Sequence, residues 1–358
     1  MRILLVTESV KLEEKLEILS SKLEYRAIIT DDIELAQKSL KRFGLSKDLL
    51  HPMNELQAYV ESLPYDYVLS VQDDWYKADI IKKIKNYNVS KDKVLNFVLP
   101  AKGNFKLQRV LRYFKEHARE FEMFATGTST VAAGLDADEF KWKLFNFAKP
   151  SQDLYYDFQT AKFAVSCGKN YGKLRYALIG LTPYSFHYDL SKTVFHYRCL
   201  ILPYFIAMNN LHNFFMSADT YKKFFHDGWL EKKMPVNSLN VNNIYGIKSS
   251  KVMDQKAIDG KTNTWAGKYN PETRDENVKI LDNYLTFCED NAIRPIIFRV
   301  PVTEKYMANF DERLLDEFDI IVEQACQKHS RAAFVDGWKL KLVTYADFYD
   351  HGHMNRSE

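Results

Sequence analysis

The sequence predicts an α/β protein built from two parallel-sheet halves, and three observations carry that prediction. Residues 1–100 alternate short apolar runs with stretches of helical spacing, the pattern of strands buried on both faces and joined by helices. A second series of the same kind begins near residue 120, on an apolar run that leads through Gly127-Thr128-Ser129 into a helix-forming segment. At 358 residues the chain exceeds what one small core organises, so two domains are expected, residues 1–100 and 101–358.

In the first half, "RILLVT" reads as a strand and "KLEEKLEILSSKL" as the helix after it. "YRAIIT" is a second strand ending at Asp31-Asp32, "MNELQAYVESL" a helix and "YDYVLSV" a third strand. "KADIIKKIKNYNV" and "KVLNFV" add a further helix and strand, completing a small Rossmann-like βαβ series. The first strand-to-helix turn, "VTESVKLEE", holds no Gly. A dinucleotide fingerprint needs glycines so that the backbone can approach the pyrophosphate, so NAD binding is not expected. "LPAKGNFKLQ" reads as the link to the second half, followed by the helix "LQRVLRYFKEHAREF".

The second half opens with the strand "FEMFAT", then Gly127-Thr128-Ser129-Thr130, then the helical "VAAGLD". This layout presents a Ser hydroxyl at the carboxyl end of a parallel strand, with unpaired helix N–H groups behind it that suit an oxyanion. The competing reading makes Ser129 an ordinary helix N-cap. "LFNFAKPSQDLYYDFQTAKFAV" contributes a strand and a loop, and "LRYALIGLTPYSFHYDLS" a strand ending at Gly180-Leu181-Thr182-Pro183. "AIRPIIFRVPVTEKYM" and "AAFVDGW" supply the last two strands. Near its end the chain reads "DFYDHGHMN", in which Asp350 and His353 are three apart in a loop-like stretch. A carboxylate so placed can orient an imidazole for general-base work. His351 is a rival base and Asp347/His351 a helical alternative pair; the three-residue offset favours His353.

Gly-Thr-Ser followed far downstream by Asp-x-x-His resembles the SGNH/GDSL hydrolase superfamily, in particular its divergent members in bacterial surface-polysaccharide and envelope modification. The resemblance spans residues 120–358 and implies a flavodoxin-like three-layer α/β/α domain, with Ser129 as nucleophile, His353 as general base and Asp350 orienting it. Thr128 stands where the family has Asp. The implied oxyanion and substrate-binding set is Gly127, Thr128, Asn146, Ser151 or Gln152 in place of a loop Gly, Gly180, and Thr182 in place of a missing third-block Asn. Residues 65–97 resemble small Rossmann-like modules of bacterial surface-polysaccharide biosynthesis proteins. The resemblance implies a serine esterase or O-acyltransferase acting on an acylated carbohydrate or another small ester, without a cofactor. The alternative is a non-catalytic SGNH-fold module that binds a glycan or an assembly partner. A further helix follows the His block in that family, so by this measure the chain ends early.

Composition narrows the remaining classes. Fifty basic residues against 47 acidic ones give a net charge of +3, which makes no electrostatic case for nucleic acid. Cys167, Cys199, Cys288 and Cys326 form no C-x-x-C pair and read as reduced core thiols. His187, Asp189 and His196 lack compact metal-ligand spacing, so no metal is expected. Asp153 and Asp157 share a helix face and read as capping or solvated. "YRCLILPYFIAMNNLHNFFM" is broken by Arg198, Asn209, Asn210 and His212 and reads as a buried or groove-forming helix, not a membrane span. The N-terminal apolar run is short for a signal peptide, and a cytoplasmic protein is expected. The polar stretch "DGKTNTWAGKYNPETRDEN" reads as a surface loop whose Trp265 could stack on a sugar.

Overall fold

Two five-stranded, all-parallel sheets make this an α/β protein. A computed structural model describes residues 1–72, 93–98, 104–193, 217–226, 252–259, 269–339 and 343–355, with isolated positions between 87 and 213. The chain divides into two compact units, Met1–Leu107 with Val194–Asn237, and Gln108–Thr193 with Ser238–Glu358. The excursion at 194–237 interrupts the second unit in sequence, and no shift in composition marks it.

In the first unit, β1 (Arg2–Thr7), α1 (Leu12–Ile18), β2 (Glu24–Thr30), α2 (Ile33–Arg42), β3 (Leu50–Pro52), α3 (Leu56–Ser62), β4 (Tyr67–Gln72) and β5 (Val94–Val98) form a sheet of order β3-β2-β1-β4-β5. Ile3, Leu4, Leu5 and Val6 are all buried, which is why β1 reads as an unbroken apolar run. Two elements escaped the sequence reading. Helix α2 starts on Asp32, whose carboxylate accepts the Leu35 N–H at 2.9 Å. Strand β3 is three residues long, lies at the sheet edge and ends on Pro52. In the glycine-free turn after β1 the Ser9 N–H donates to Asp31 at 2.7 Å. Residues 77–86 of the expected helix "KADIIKKIKNYNV", and Trp265, lie outside the described residues. The helix expected over 197–216 is not formed at its described positions, which carry a 3-10 turn at Leu202–Tyr204 and a bridge from Asn210 to Ser217. Pro203, which removes a backbone donor, accounts for the break.

The second unit places α4 (Asn104–His117), β6 (Met123–Thr126), α5 (Ser129–Gly134), β7 (Leu144–Asn146), α6 (Leu154–Gly168), β8 (Tyr176–Gly180), α7 (Pro271–Asp290), β9 (Arg294–Arg299), α8 (Glu312–Lys328) and β10 (Ala333–Asp336) around a sheet of order β10-β9-β8-β6-β7. Counted within the unit this is 5-4-3-1-2, the doubly wound order of the flavodoxin type, with its switch point between β6 and β8. On one face Met123, Ala125, Leu144, Leu178 and Phe298 pack with Val131 and Ala132 of α5 and with Met354. Side chains of opposite parity, such as Phe124, Thr126, Phe145 and Ile179, are buried on the other face. There Tyr284 of α7 meets the Thr126 hydroxyl at 3.1 Å, and Phe114 of α4 packs on Phe145 and Phe163. A hairpin of β11 (Phe348–Asp350) and β12 (His353–Met354) follows. No helix among the described residues is long and apolar enough to cross a membrane. Cys199 and Cys288 are buried, whereas Cys167 and Cys326 are only partly so.

Candidate active site

The carboxyl ends of β6 and β8, on either side of the switch point, converge on Gly127 and Gly180. Gly127 has φ +140°, and a Cβ there would lie 2.6 Å from Val131 Cγ2 and 2.9 Å from the Gly180 carbonyl oxygen. At Gly180 a Cβ would come within 2.1 Å of the same Val131 methyl. Both positions admit only glycine, because the first turn of α5 is drawn tightly onto the sheet. Ser129 therefore emerges immediately beyond the strand end. The helix cap is Thr128, not Ser129, and its hydroxyl pairs with Thr130 at 3.0 Å. The Ser129 hydroxyl is left for another partner.

That partner comes from the C-terminal hairpin. Asp350 and His353 are directly opposed across a two-residue turn, so their side chains leave the ribbon on the same side. The Asp350 carboxylate accepts the Gly352 N–H at 2.9 Å and receives His353 Nδ1–H at 2.8 and 3.0 Å to its two oxygens. With Nδ1 as donor, Nε2 carries the lone pair, and the Ser129 O–H donates to it at 2.8 Å. Burial works to raise the Asp350 pKa, but the hydrogen bonds from His353 and the Gly352 N–H help hold it below its ordinary value. Ser129 and His353 are both half-buried, so the hydroxyl is neither sealed in the core nor freely solvated.

His351, the rival base, points the other way and is buried. Its Nδ1 meets the Thr303 hydroxyl at 2.9 Å and its Nε2 meets the Ala257 carbonyl at 3.0 Å, while its own carbonyl accepts the Thr303 N–H at 3.0 Å. It anchors the hairpin to the loop after β9. Asp347 accepts the Thr344 N–H at 2.7 Å, and no Asp347/His351 pair forms.

The remaining sequence candidates divide. β7 continues irregularly beside β6, with the Phe147 N–H donating to Ala125 and the Lys149 N–H to Gly127 at 3.0 Å, which brings the 149–152 turn against the Ser129 turn. Ser151 takes up φ +60° there, a conformation suited to glycine, at the place where the resembled family carries one. Gln152 is not a free amide donor, because its N–H donates to the Lys149 carbonyl at 3.2 Å and its side chain reaches Asp157 at 2.7 Å. Asn146 engages its side-chain oxygen with the Ala148 N–H at 3.0 Å. Thr182 closes a capping box with Ser185, N–H to Oγ at 2.9 Å and hydroxyl to hydroxyl at 3.1 Å. It does not replace the missing Asn as an uncommitted donor.

Three residues around the site were not singled out from the sequence, and a fourth was assigned a different setting. The Tyr184 phenol lies against the hydroxyls of Thr128 and Thr182, and burial raises its pKa. The Tyr349 ring stacks obliquely on His353 with centroids 5.5 Å apart, and Tyr306 would meet a Cβ on Gly352 at 3.4 Å. A period-2 reading of the last strand would have exposed Tyr349; nothing in sequence distinguishes Tyr184 and Tyr306 among 22 tyrosines. The fourth is Asp157, expected to be capping or solvated but 2% exposed. Asp153 is the α6 cap instead, accepting the Tyr156 N–H at 3.0 Å. His187 has its ring nearly fully covered, between Asn270 and Glu317. His196 lies outside the described residues.

A doubly wound α/β unit with a Ser-His-Asp relay at its switch point is thus the class of site that the fold and side chains define. No protein-family model and no curated protein matches the chain.

Proposed function

We propose that the second unit is a serine esterase or O-acyltransferase of SGNH type, acting on an acylated sugar or surface-glycan precursor. One observation carries the reading: hydrogen bonds of 2.8 Å at both ring nitrogens of His353, one to Ser129 and one to Asp350. In the proposed reaction His353 Nε2 takes the Ser129 proton as Oγ attacks the acyl carbonyl. The same imidazolium then protonates the leaving alkoxide, with Asp350 stabilising its charge. The acyl-enzyme is resolved by water or by a sugar hydroxyl, which loses its proton to His353 as it attacks, and His353 then returns that proton to the Ser129 oxygen as the acyl–Oγ bond breaks. The Ser129 and Ser151 N–H groups are the proposed oxyanion donors. The sugar rests on the sequence resemblance and not on the site's geometry.

The Thr182 side chain, committed to its capping box with Ser185, favours a second reading, a non-catalytic module of the same fold. A fluorophosphonate probe separates the two, since only an activated hydroxyl reacts. Ser129 is expected to be labelled in the wild type and not in Ser129→Ala, with labelling slowed at least a thousandfold, on the order of a triad deletion, in His353→Ala. An unlabelled wild type refutes the hydrolytic reading.

A further inference from the structure

Asp157 sits in the first turn of α6, a buried carboxyl with no place in the reaction as proposed. Its Oδ1 accepts the Gly127 N–H at 3.1 Å and the Gln152 Nε2–H at 2.7 Å. Two backbone bonds complete a closed circuit, Gln152 N–H to the Lys149 carbonyl at 3.2 Å and Lys149 N–H to the Gly127 carbonyl at 3.0 Å. The ring joins the strand end that presents Ser129 to the turn that presents Ser151. The two turns come from different strands, and beyond Ala125↔Asn146, the last register pair, backbone bonds tie them only through Phe147 N–H to Ala125 and Lys149 N–H to Gly127, short of Ser151 itself. Small errors in their separation are costly, because an oxyanion must meet donors at about 3 Å from both sides. An ionisable group buried for packing alone is a poor choice, since an apolar side chain fills the same space without desolvating a carboxylate.

We propose that Asp157 is a positioning residue, which sets the spacing of the Ser129 and Ser151 turns through one shared acceptor oxygen. The inference rests on the hydrolytic reading for its effect on rate, and on the hydrogen-bond ring alone for its effect on structure.

The test uses the full chain in wild-type, Asp157→Ala, Asp157→Asn and Gln152→Ala forms, with p-nitrophenyl acetate as the kinetic probe and amide hydrogen exchange at Gly127 as the structural one. Asp157→Ala is expected to lower kcat about a hundredfold with KM little changed, the size of a misplaced reacting group. Asp157→Asn keeps an acceptor oxygen in place and is expected to restore kcat to within a few fold. Exchange at Gly127 should accelerate about tenfold or more in Asp157→Ala and not in Asp157→Asn. Should the alanine variant not fold, Gln152→Ala removes one arm of the ring and is expected to lower kcat in the same direction. A folded Asp157→Ala with wild-type kcat overturns the inference, as does an asparagine variant as slow as the alanine one. If the wild type is inert but Gly127 exchange still responds to Asp157→Ala, the hydrolytic reading falls and the tether stands. Exchange unmoved in every variant overturns the tether, whatever the activity.

Discussion

Asp157→Asn should make the protein more stable at neutral pH, by an amount that depends on pH in a defined way. Burial pushes the Asp157 carboxyl up to about 7, with the nearby Asp153 carboxylate adding to the rise. The hydrogen bonds from Gln152 and Gly127 and the charge of Lys149 oppose it, and Tyr284 is the other titratable group nearby. The unfolded chain releases this proton near pH 4 and the folded chain near pH 7. Between those values the folded state binds more protons, so rising pH costs stability at about 1.4 kcal/mol per unit, and the loss levels off above pH 7. Over the whole window the cost is about 4 kcal/mol. Asparagine keeps an oxygen for both donors and carries no charge, so it reproduces the neutral acid and escapes this loss. Urea unfolding of wild type and variant at pH 5, 6, 7 and 8 should give curves that diverge by about 2 kcal/mol between pH 5 and pH 7 and run nearly parallel beyond. A difference that is flat in pH, or one that narrows as pH rises, would refute the reasoning, because it would mean that the folded-state carboxyl ionises as readily as an exposed one.

Two further outcomes concern histidines. His329 is held between Glu289 and Asp282, at 3.0 Å each, and their hydrogen bonds and charges outweigh burial and raise its pKa. Its stabilising contribution is therefore complete below the unfolded value near 6.5 and is lost as pH climbs through the higher folded value, so His329→Gln should flatten the unfolding free energy on that upper limb, read by urea titration from pH 6 to 8.5. In the hairpin the two histidines should separate function from stability: His351→Ala is expected to cost about 3 kcal/mol, from two lost ring hydrogen bonds and a cavity, whereas His353→Ala should cost about 1 kcal/mol or less by calorimetry while removing probe labelling.

Much of the fold was legible because parallel strands announce themselves. "RILLVT" and "YALIG" are continuous apolar runs since both faces are covered, and the turns after them are fixed by glycine or its absence. Strand β3 was invisible because three residues ending in Pro carry no period, and α2 because its apolar positions are few and sit among exposed charges. At the site, Ser129, Asp350 and His353 were named together because Gly-Thr-Ser and a distant Asp-x-x-His resemble the blocks of one hydrolase superfamily; the strand-to-helix turn alone fitted an ordinary helix cap equally well. Asn146, Gln152 and Thr182 were placed by analogy of position, and each has an atom bonded to a neighbour two to five residues away. Such local side-chain bonds compete with any distant role, and sequence position does not say which wins. Asp157 was misjudged for the converse reason: in a helix its neighbours suggest exposure, and only the tertiary meeting of β6 and the 149–152 turn buries it.

The stretch Asp350-His351-Gly352-His353 shows why adjacent histidines need not compete. On the hydrolytic reading, a hairpin that delivers a base to a nucleophile 224 residues upstream must be fixed by something other than the reactive contact, because that contact has to break and reform as protons move. His351 supplies the fixation on one side of the ribbon through Thr303 and Ala257, and Met354 adds an apolar contact with the face that carries α5. Asp350 bonds both the turn, through Gly352, and the ring of His353, so the same carboxylate that shapes the hairpin selects the tautomer. On the other side of the nucleophile Asp157 stands in a comparable relation to the strand ends, touching Gly127 and Gln152 but not the hydroxyl itself. Each reactive element is thus held by a neighbour that is buried, or bonded to backbone, and does not itself face the Ser129 hydroxyl. That division lets the Ser129–His353 bond remain half-buried and breakable while its two supports are fixed from behind.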